Sequence, residues 1–218
     1  MASRRPAPEE LARPPRTRSL AVVRDAAAGC TACELYQRAT QTVFGAGAAH
    51  PVMMLVGEQP GDREDREGLP FVGPAGAKLD EALAQAGIEP ADVYKTNAVK
   101  HFKWRPTSGK RRLHDRPDRN EIEICKPWLM KEIQLLQPEV IVALGSTAAV
   151  SVLGKNAPIA ANRGRSLGTD FGPVFLTYHP SSILRQREAE DRARRLAEIV
   201  EDLRHAHRFV LGSKRASG

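Results

Sequence analysis

Gly109-Lys110-Arg111-Arg112-Leu113-His114 is a run of cations that ends in an imidazole. Cations at that density suit phosphate, and a histidine beside them suits acid–base or nucleophilic chemistry. A charge run by itself is more often a solvated face. Two further motifs shift the balance: Gly57-Glu58-Gln59-Pro60-Gly61 upstream and His179-Pro180-Ser181-Ser182 downstream. Glu58 lies at a turn whose glycines permit close backbone approach, where a carboxylate can orient a water or stabilise a developing cation. His179 can hydrogen-bond a leaving group. From Lys103 to Arg119, seven basic and two acidic residues leave a net charge of +5, with Phe102 and Trp104 offering aromatic surface for base stacking. Taken together, these groups point to an enzyme acting on nucleic acid.

The cysteines form a second set. There are three, Cys30, Cys33 and Cys125. A Cys-x-x-Cys redox pair usually opens a helix directly after a strand, and nothing strand-like precedes Cys30. Zinc or an iron–sulfur cluster fits the spacing better, and either needs a fourth donor, for which His101 is the best placed. Three unrelated buried thiols is the bland alternative. Neither G-x-G-x-x-G nor a Walker A motif is present, so nucleoside triphosphate binding is unsupported.

These residues need a scaffold. The 218 residues fit one sizeable domain, and 41% hydrophobic with 27% charged residues fits a packed core under a charged surface. The formal charge of +7 favours polyanionic partners. No apolar run of about 18 residues occurs, so no membrane span is expected. Residues 1–20 are Pro- and Arg-rich and read as a disordered basic tail, not a secretory signal. Residues 21–210 are expected to form the domain and 211–218 a C-terminal tail. A cytoplasmic, reducing setting is expected, in which structural disulfides are rare.

Short apolar runs predict parallel strands at Val52–Val56, Val93–Val99, Val140–Leu144 and Val174–Tyr178. Helices are expected at Gly76–Ala86, Asp118–Leu136, Ser146–Leu153 and Glu188–Phe209, the second opened by an Asp118/Glu121 capping box. Alternation of this kind implies an α/β fold, a three-layer α/β/α sandwich around a mostly parallel four-stranded sheet. Residues 102–117 read as a long loop, and His205 and His207 as surface residues. Ligands in such folds bind beyond the carboxyl ends of the strands. Gly57–Gly61, Asn97–His101, Gly145–Thr147 and His179–Ser182 all follow strand ends, so one cleft is expected to collect them.

The combination of Gly57–Gly61, Leu69-Pro70-Phe71-Val72-Gly73-Pro74-Ala75-Gly76, Thr96-Asn97-Ala98-Val99-Lys100 and His179–Ser182 resembles the uracil-DNA glycosylase superfamily. The resemblance runs from about Cys30 to the last helix and is to the iron–sulfur, family-four-like branch. Ordinary members have Ala where Gln59 stands and Cys where His101 stands, and they lack the Lys110–His114 segment. The chain departs from them in all three places towards the UdgX type, with Leu113 in place of the usual Ile.

The resemblance implies a [4Fe–4S] cluster on Cys30, Cys33, His101 and Cys125, bracing the fold. It implies that Phe71 stacks on uracil, Asn97 reads its amide edge, and His179 stabilises the departing anion, aided by the backbone of Gly57 to Gln59. His114 would attack the sugar carbon to leave a covalent protein–DNA adduct, with Glu58 supporting it. Lys110, Arg111, Arg112, Ser181 and Ser182 would contact DNA, with Arg111 and Arg112 holding the loop against phosphate or against the core. The expected partner is uracil-containing DNA, single-stranded by preference, with uracil as product, no membrane and a monomeric protein. An ordinary multiple-turnover glycosylase and a non-catalytic iron–sulfur DNA-damage-binding module are the rivals.

Overall fold

The computed structural model describes residues 11–109 and 111–216. Lys110 and the first half of the expected N-terminal tail lie outside them. Within the second half of that tail Ala12 is buried, and Ser19 caps α1 (Leu20–Ala28).

The expected strands are present: β2 (Met53–Gly57), β3 (Val93–Asn97), β6 (Val140–Leu144) and β8 (Gly172–Thr177). They pair in parallel in the order β3-β2-β6-β8. The sheet has six strands, not four. β1 (Ala46–Gly47) and β7 (Ser166–Thr169) add antiparallel edges beside β3 and β8. Two residues of Ala-Gly and a Ser-Leu-Gly-Thr run carry no apolar alternation; their strand geometry comes from the partner they pair with.

Side-chain alternation sends β2 residues to both faces. Met53 and Leu55 pack with Leu79, Leu83, Ile199 and Leu203, from α3 (Pro74–Ala86) and the last helix, α8 (Ala189–Ala216). Met54 and Val56 pack with Leu129, Ile133 and Val152, from α4 (Arg119–Leu136) and α5 (Ser146–Leu153). That is the three-layer sandwich. The capping box holds: Asp118 accepts from the Glu121 N–H at 2.9 Å, and the Asp118 N–H donates to Glu121 at 2.7 Å. α8 outruns its expected end because the buried stripe of Leu203, Ala206 and Val210 continues at helical spacing. It takes in most of the expected C-terminal tail.

The expected 102–117 loop instead contains a hairpin. β4 (Trp104–Pro106) pairs antiparallel with β5 (Arg112–His114), with Trp104 opposite His114. Two three-residue strands, one of them holding Pro106, give no periodic signal from which a strand would be expected.

Candidate active site

All four parallel strands end at one edge of the sheet. There Gly57, Phe71, Asn97 and His179 come together. A Cβ on Gly57 would lie 2.3 Å from Asn97 Oδ1 and 2.6 Å from Phe71 Cζ, so only glycine lets these groups close up. Phe71 comes from the loop between α2 (Asp62–Glu67) and α3. It has φ +58°, a left-handed conformation that costs an aromatic residue energy. Gly76 holds it there, since any Cβ at that position would strike the Phe71 carbonyl. Glu64 staples the loop to the strand-end turn, accepting from the Gly73 N–H at 2.8 Å and the Gly61 N–H at 3.1 Å. Asn97 is buried, and its carboxamide has no hydrogen-bond partner among the described residues. A buried amide left open in a pocket is suited to a ligand that both donates and accepts.

The Phe71 and His179 rings are stacked, with centroids 6.3 Å apart and planes 29° apart. His179 Nδ1 accepts from the Ser181 N–H at 3.2 Å and lies 2.8 Å from Ser181 Oγ, which itself accepts from Arg185 at 2.8 Å. With Nδ1 occupied as an acceptor, the ring proton belongs on Nε2. Burial, then the charges of Arg185 and His114, push the His179 pKa down to about 4. The ring is therefore a neutral Nε2–H donor at physiological pH.

His114 reaches the same cleft from the hairpin. Its Nε2 is 3.5 Å from Glu58 Oε1, and its side chain is 48% exposed. The other Glu58 oxygen accepts from the Thr147 hydroxyl at 2.5 Å and lies 3.5 Å from Arg116 Nε. The hairpin is held by polar pins. Gln59 is buried, donates to the Lys103 and Asp115 carbonyls at 3.1 and 3.0 Å, and accepts from the Lys103 N–H at 3.0 Å. Arg112 is 11% exposed, pairs with Asp65 at 2.6 Å and with Asp62, and lies over the rings of Phe102 and Trp104.

Several residues therefore sit differently from expectation. Gln59 was expected at the substrate but spends its carboxamide on the hairpin base. Arg112 faces acids in the core instead of phosphate, the second of its two expected placements. Ser181 sets the His179 tautomer, and the Ser182 hydroxyl is buried without a partner instead of reaching outward. Arg111 is exposed and lines an open cavity of about 300 Å³ with Arg66 and His114. His205 is half-buried and pairs with Glu201 at 3.2 Å.

Cys30, Cys33, His101 and Cys125 line one pocket behind the cleft, together with Thr42, Lys100 and Trp128. Trp128 Nε1 donates to Cys30 Sγ at 3.3 Å and the Lys100 N–H to Cys125 Sγ at 3.2 Å. Burial pushes the Cys125 thiol up to about 12 and raises Cys33. Burial also pushes His101 down to about 4, so its imidazole is neutral; its Nε2 lies 2.9 Å from Thr42 Oγ1. Among the described residues no three His, Cys, Asp or Glu side chains converge as a site for a single ion.

Residues 44–204 match the model of the uracil DNA glycosylase superfamily. The chain belongs to that superfamily. It is 39% identical to a type-4 uracil-DNA glycosylase of Thermotoga maritima, over 83% of this chain and 89% of that protein. It is 36% identical to a type-4 enzyme of Pyrobaculum aerophilum, over 72% and 80% of the two chains. A type-4 enzyme of Sulfurisphaera tokodaii is 33% identical over 91% and 93%. Within this superfamily member, the motifs gave no individual role to Asp62, Asp65, Thr147 or Arg116. They are scattered in sequence and meet only through packing. Arg185 was findable, since it lies on the turn that follows the His179 motif.

Among the described residues no helix is long and apolar enough to cross a membrane.

Proposed function

We propose that this protein excises uracil from DNA and captures the resulting abasic sugar through His114. The observation that carries the reading is the placement of the His114 ring 3.5 Å from Glu58, in the cleft that holds Phe71, Asn97 and His179. The relatives' activity, named as uracil-DNA glycosylase, supports the first half. A flipped uracil needs an aromatic platform, an amide that matches its Watson–Crick edge and a donor to an oxygen that gains charge. Phe71, the open Asn97 carboxamide and the Nε2–H of His179 meet those needs.

As the C1′–N1 bond breaks, its electron pair leaves with the base. The His179 N–H stabilises the resulting uracil anion without transferring its proton, since a neutral imidazole is a weak acid. The sugar becomes cation-like. One His114 ring nitrogen then supplies its lone pair to C1′, and Glu58 neutralises the positive charge or takes the proton on the other nitrogen. Uracil is released after taking a proton from solvent. The exposed Arg111, with Lys110 beside it in sequence, suits backbone phosphate, and single-stranded DNA costs no unpairing.

Three thiols and a neutral imidazole around one pocket fit an iron–sulfur cluster, and Cys30, Cys33, His101 and Cys125 would hold it. When bound, it supplies a rigid brace between the first helix and α4, not redox chemistry for excision.

The test is a denaturing gel of protein mixed with labelled uracil-containing single-stranded DNA. A shifted band that survives SDS and heat, absent in His114→Ala, is expected. Alkali-labile free DNA with no shifted band would identify a turnover glycosylase. Intact DNA that is bound but not cleaved at uracil would identify a binding module.

A further inference from the structure

Glu58 has two oxygens, and its surroundings treat them differently. Oε2 accepts the Thr147 hydroxyl at 2.5 Å and faces the Arg116 guanidinium at 3.5 Å. Oε1 faces His114, at 3.5 Å. Thr147 is 3% exposed and lies in the first turn of α5. That helix has no side-chain cap, so a threonine hydroxyl there would ordinarily turn to the free backbone N–H groups of its own helix start. It donates to Glu58 instead. Arg116 in turn donates to Thr147 Oγ1 at 3.3 Å and to Ser146. With its oxygen accepting from Arg116, the Thr147 proton has one place to go, the carboxylate.

We infer that Thr147 is a positioning residue, which holds Oε2 so that Oε1 is presented to His114. Two physical points support it. A carboxylate is free to rotate about its last torsion, which is broad and two-fold; a buried donor on one oxygen removes that freedom. The start of α5 also carries partial positive charge, which attracts the oxygen of Glu58 that faces Thr147 and leaves the other turned to His114. Arg116 is the weaker partner: its side chain is 62% exposed, and exposed ion pairs are screened. The inference rests on the covalent-capture reading, because it assigns Thr147 to the Glu58–His114 pair and not to the base-holding residues.

The test compares Thr147→Val, which keeps the shape and removes the hydroxyl, with Thr147→Ser, which keeps the hydroxyl. Both are measured as purified full-length protein on uracil-containing single-stranded DNA, with adduct and free uracil followed in the same single-turnover reaction. Thr147→Val is expected to slow adduct formation about tenfold to a hundredfold, the range for loss of one charge-assisted hydrogen bond, and to shift the ratio of adduct to uncaptured abasic product towards the latter. Thr147→Ser is expected to restore both to within about threefold. Adduct formation at the wild-type rate by Thr147→Val overturns the inference. So does equal impairment by Thr147→Val and Thr147→Ser, which would mean packing and not the hydroxyl. If the wild-type protein forms no adduct, the capture reading fails on its own. Thr147 is then judged by uracil release: a tenfold loss that serine restores keeps it as the residue that positions Glu58, and an unchanged rate removes it.

Discussion

His179 follows β8, a strand whose last four residues are buried between two helical layers, whereas His114 closes a three-residue strand outside the main sheet. One ring is set by the core. Its tautomer and neutrality follow from a turn that the parallel sheet delivers. The other ring is set by polar pins, chiefly Gln59 and Arg112, on a hairpin with little apolar burial of its own. The contrast separates two tasks. Holding a base requires rigid walls, and the strand ends supply them. Reaching the sugar requires a group that arrives from outside the pocket, and a pinned hairpin can carry it.

If that division is right, lesions at the strand ends should impair uracil release and capture together. Lesions in the hairpin should impair capture first. Gly57→Ala is the most severe case. Its Cβ cannot fit beside Asn97 and Phe71, and both activities are expected to fall by about a hundredfold or more in single-turnover assays, with a normal far-ultraviolet spectrum. Capture lost while release stays normal would break the comparison.

Arg112→Ala comes next. It leaves the fully buried Asp65 carboxylate without its cation, at a cost of about 3 kcal/mol, read as a fall in Tm of about 10 °C. An unchanged Tm would mean that the hairpin is held by something else.

Gln59→Ala removes three hydrogen bonds from the hairpin base but nothing from the uracil pocket. Capture is expected to slow about tenfold while uracil release changes by less than about threefold. Equal losses in both would return Gln59 to the substrate.

The smallest effect tests the set of His179. Arg185 and burial both lower its pKa, so Arg185→Gln is expected to move its titration upward from about 4, by nuclear magnetic resonance of the ring. The sign for stability follows. A histidine depressed below its unfolded value adds no penalty at neutral pH and destabilises the fold as pH falls from the ordinary imidazole range to about 4. Arg185→Gln should narrow that window.

Much of the scaffold was legible in the chain. β6 and α5 match their expected bounds because β6 is a clean apolar run, α5 a run of small and apolar residues, and each is closed by glycine. The parallel direction of these strands was legible too, since strand alternating with helix admits few other solutions. The hairpin was not, because nothing in Trp104–Pro106 or Arg112–His114 marks a strand; their pairing is decided by the pins at either end. The contacts of Gln59 and Ser181 were not legible for a related reason. A polar side chain near a cleft looks the same in sequence whether it faces a ligand or the protein's own backbone.

The sequence by itself determined the four parallel strands, the edge of the sheet at which the motifs meet, and the residue types gathered there. Local apolar patterning and strand–helix alternation suffice for that, because burial at period two and at helical spacing is written residue by residue. Only the tertiary structure decided which oxygen of Glu58 faces His114, what Gln59 pins and where Arg112 points. Those depend on partners 40 to 90 positions away, such as Thr147 for Glu58 and Asp65 for Arg112, and hydrogen-bond geometry of that range exists only once the layers have packed.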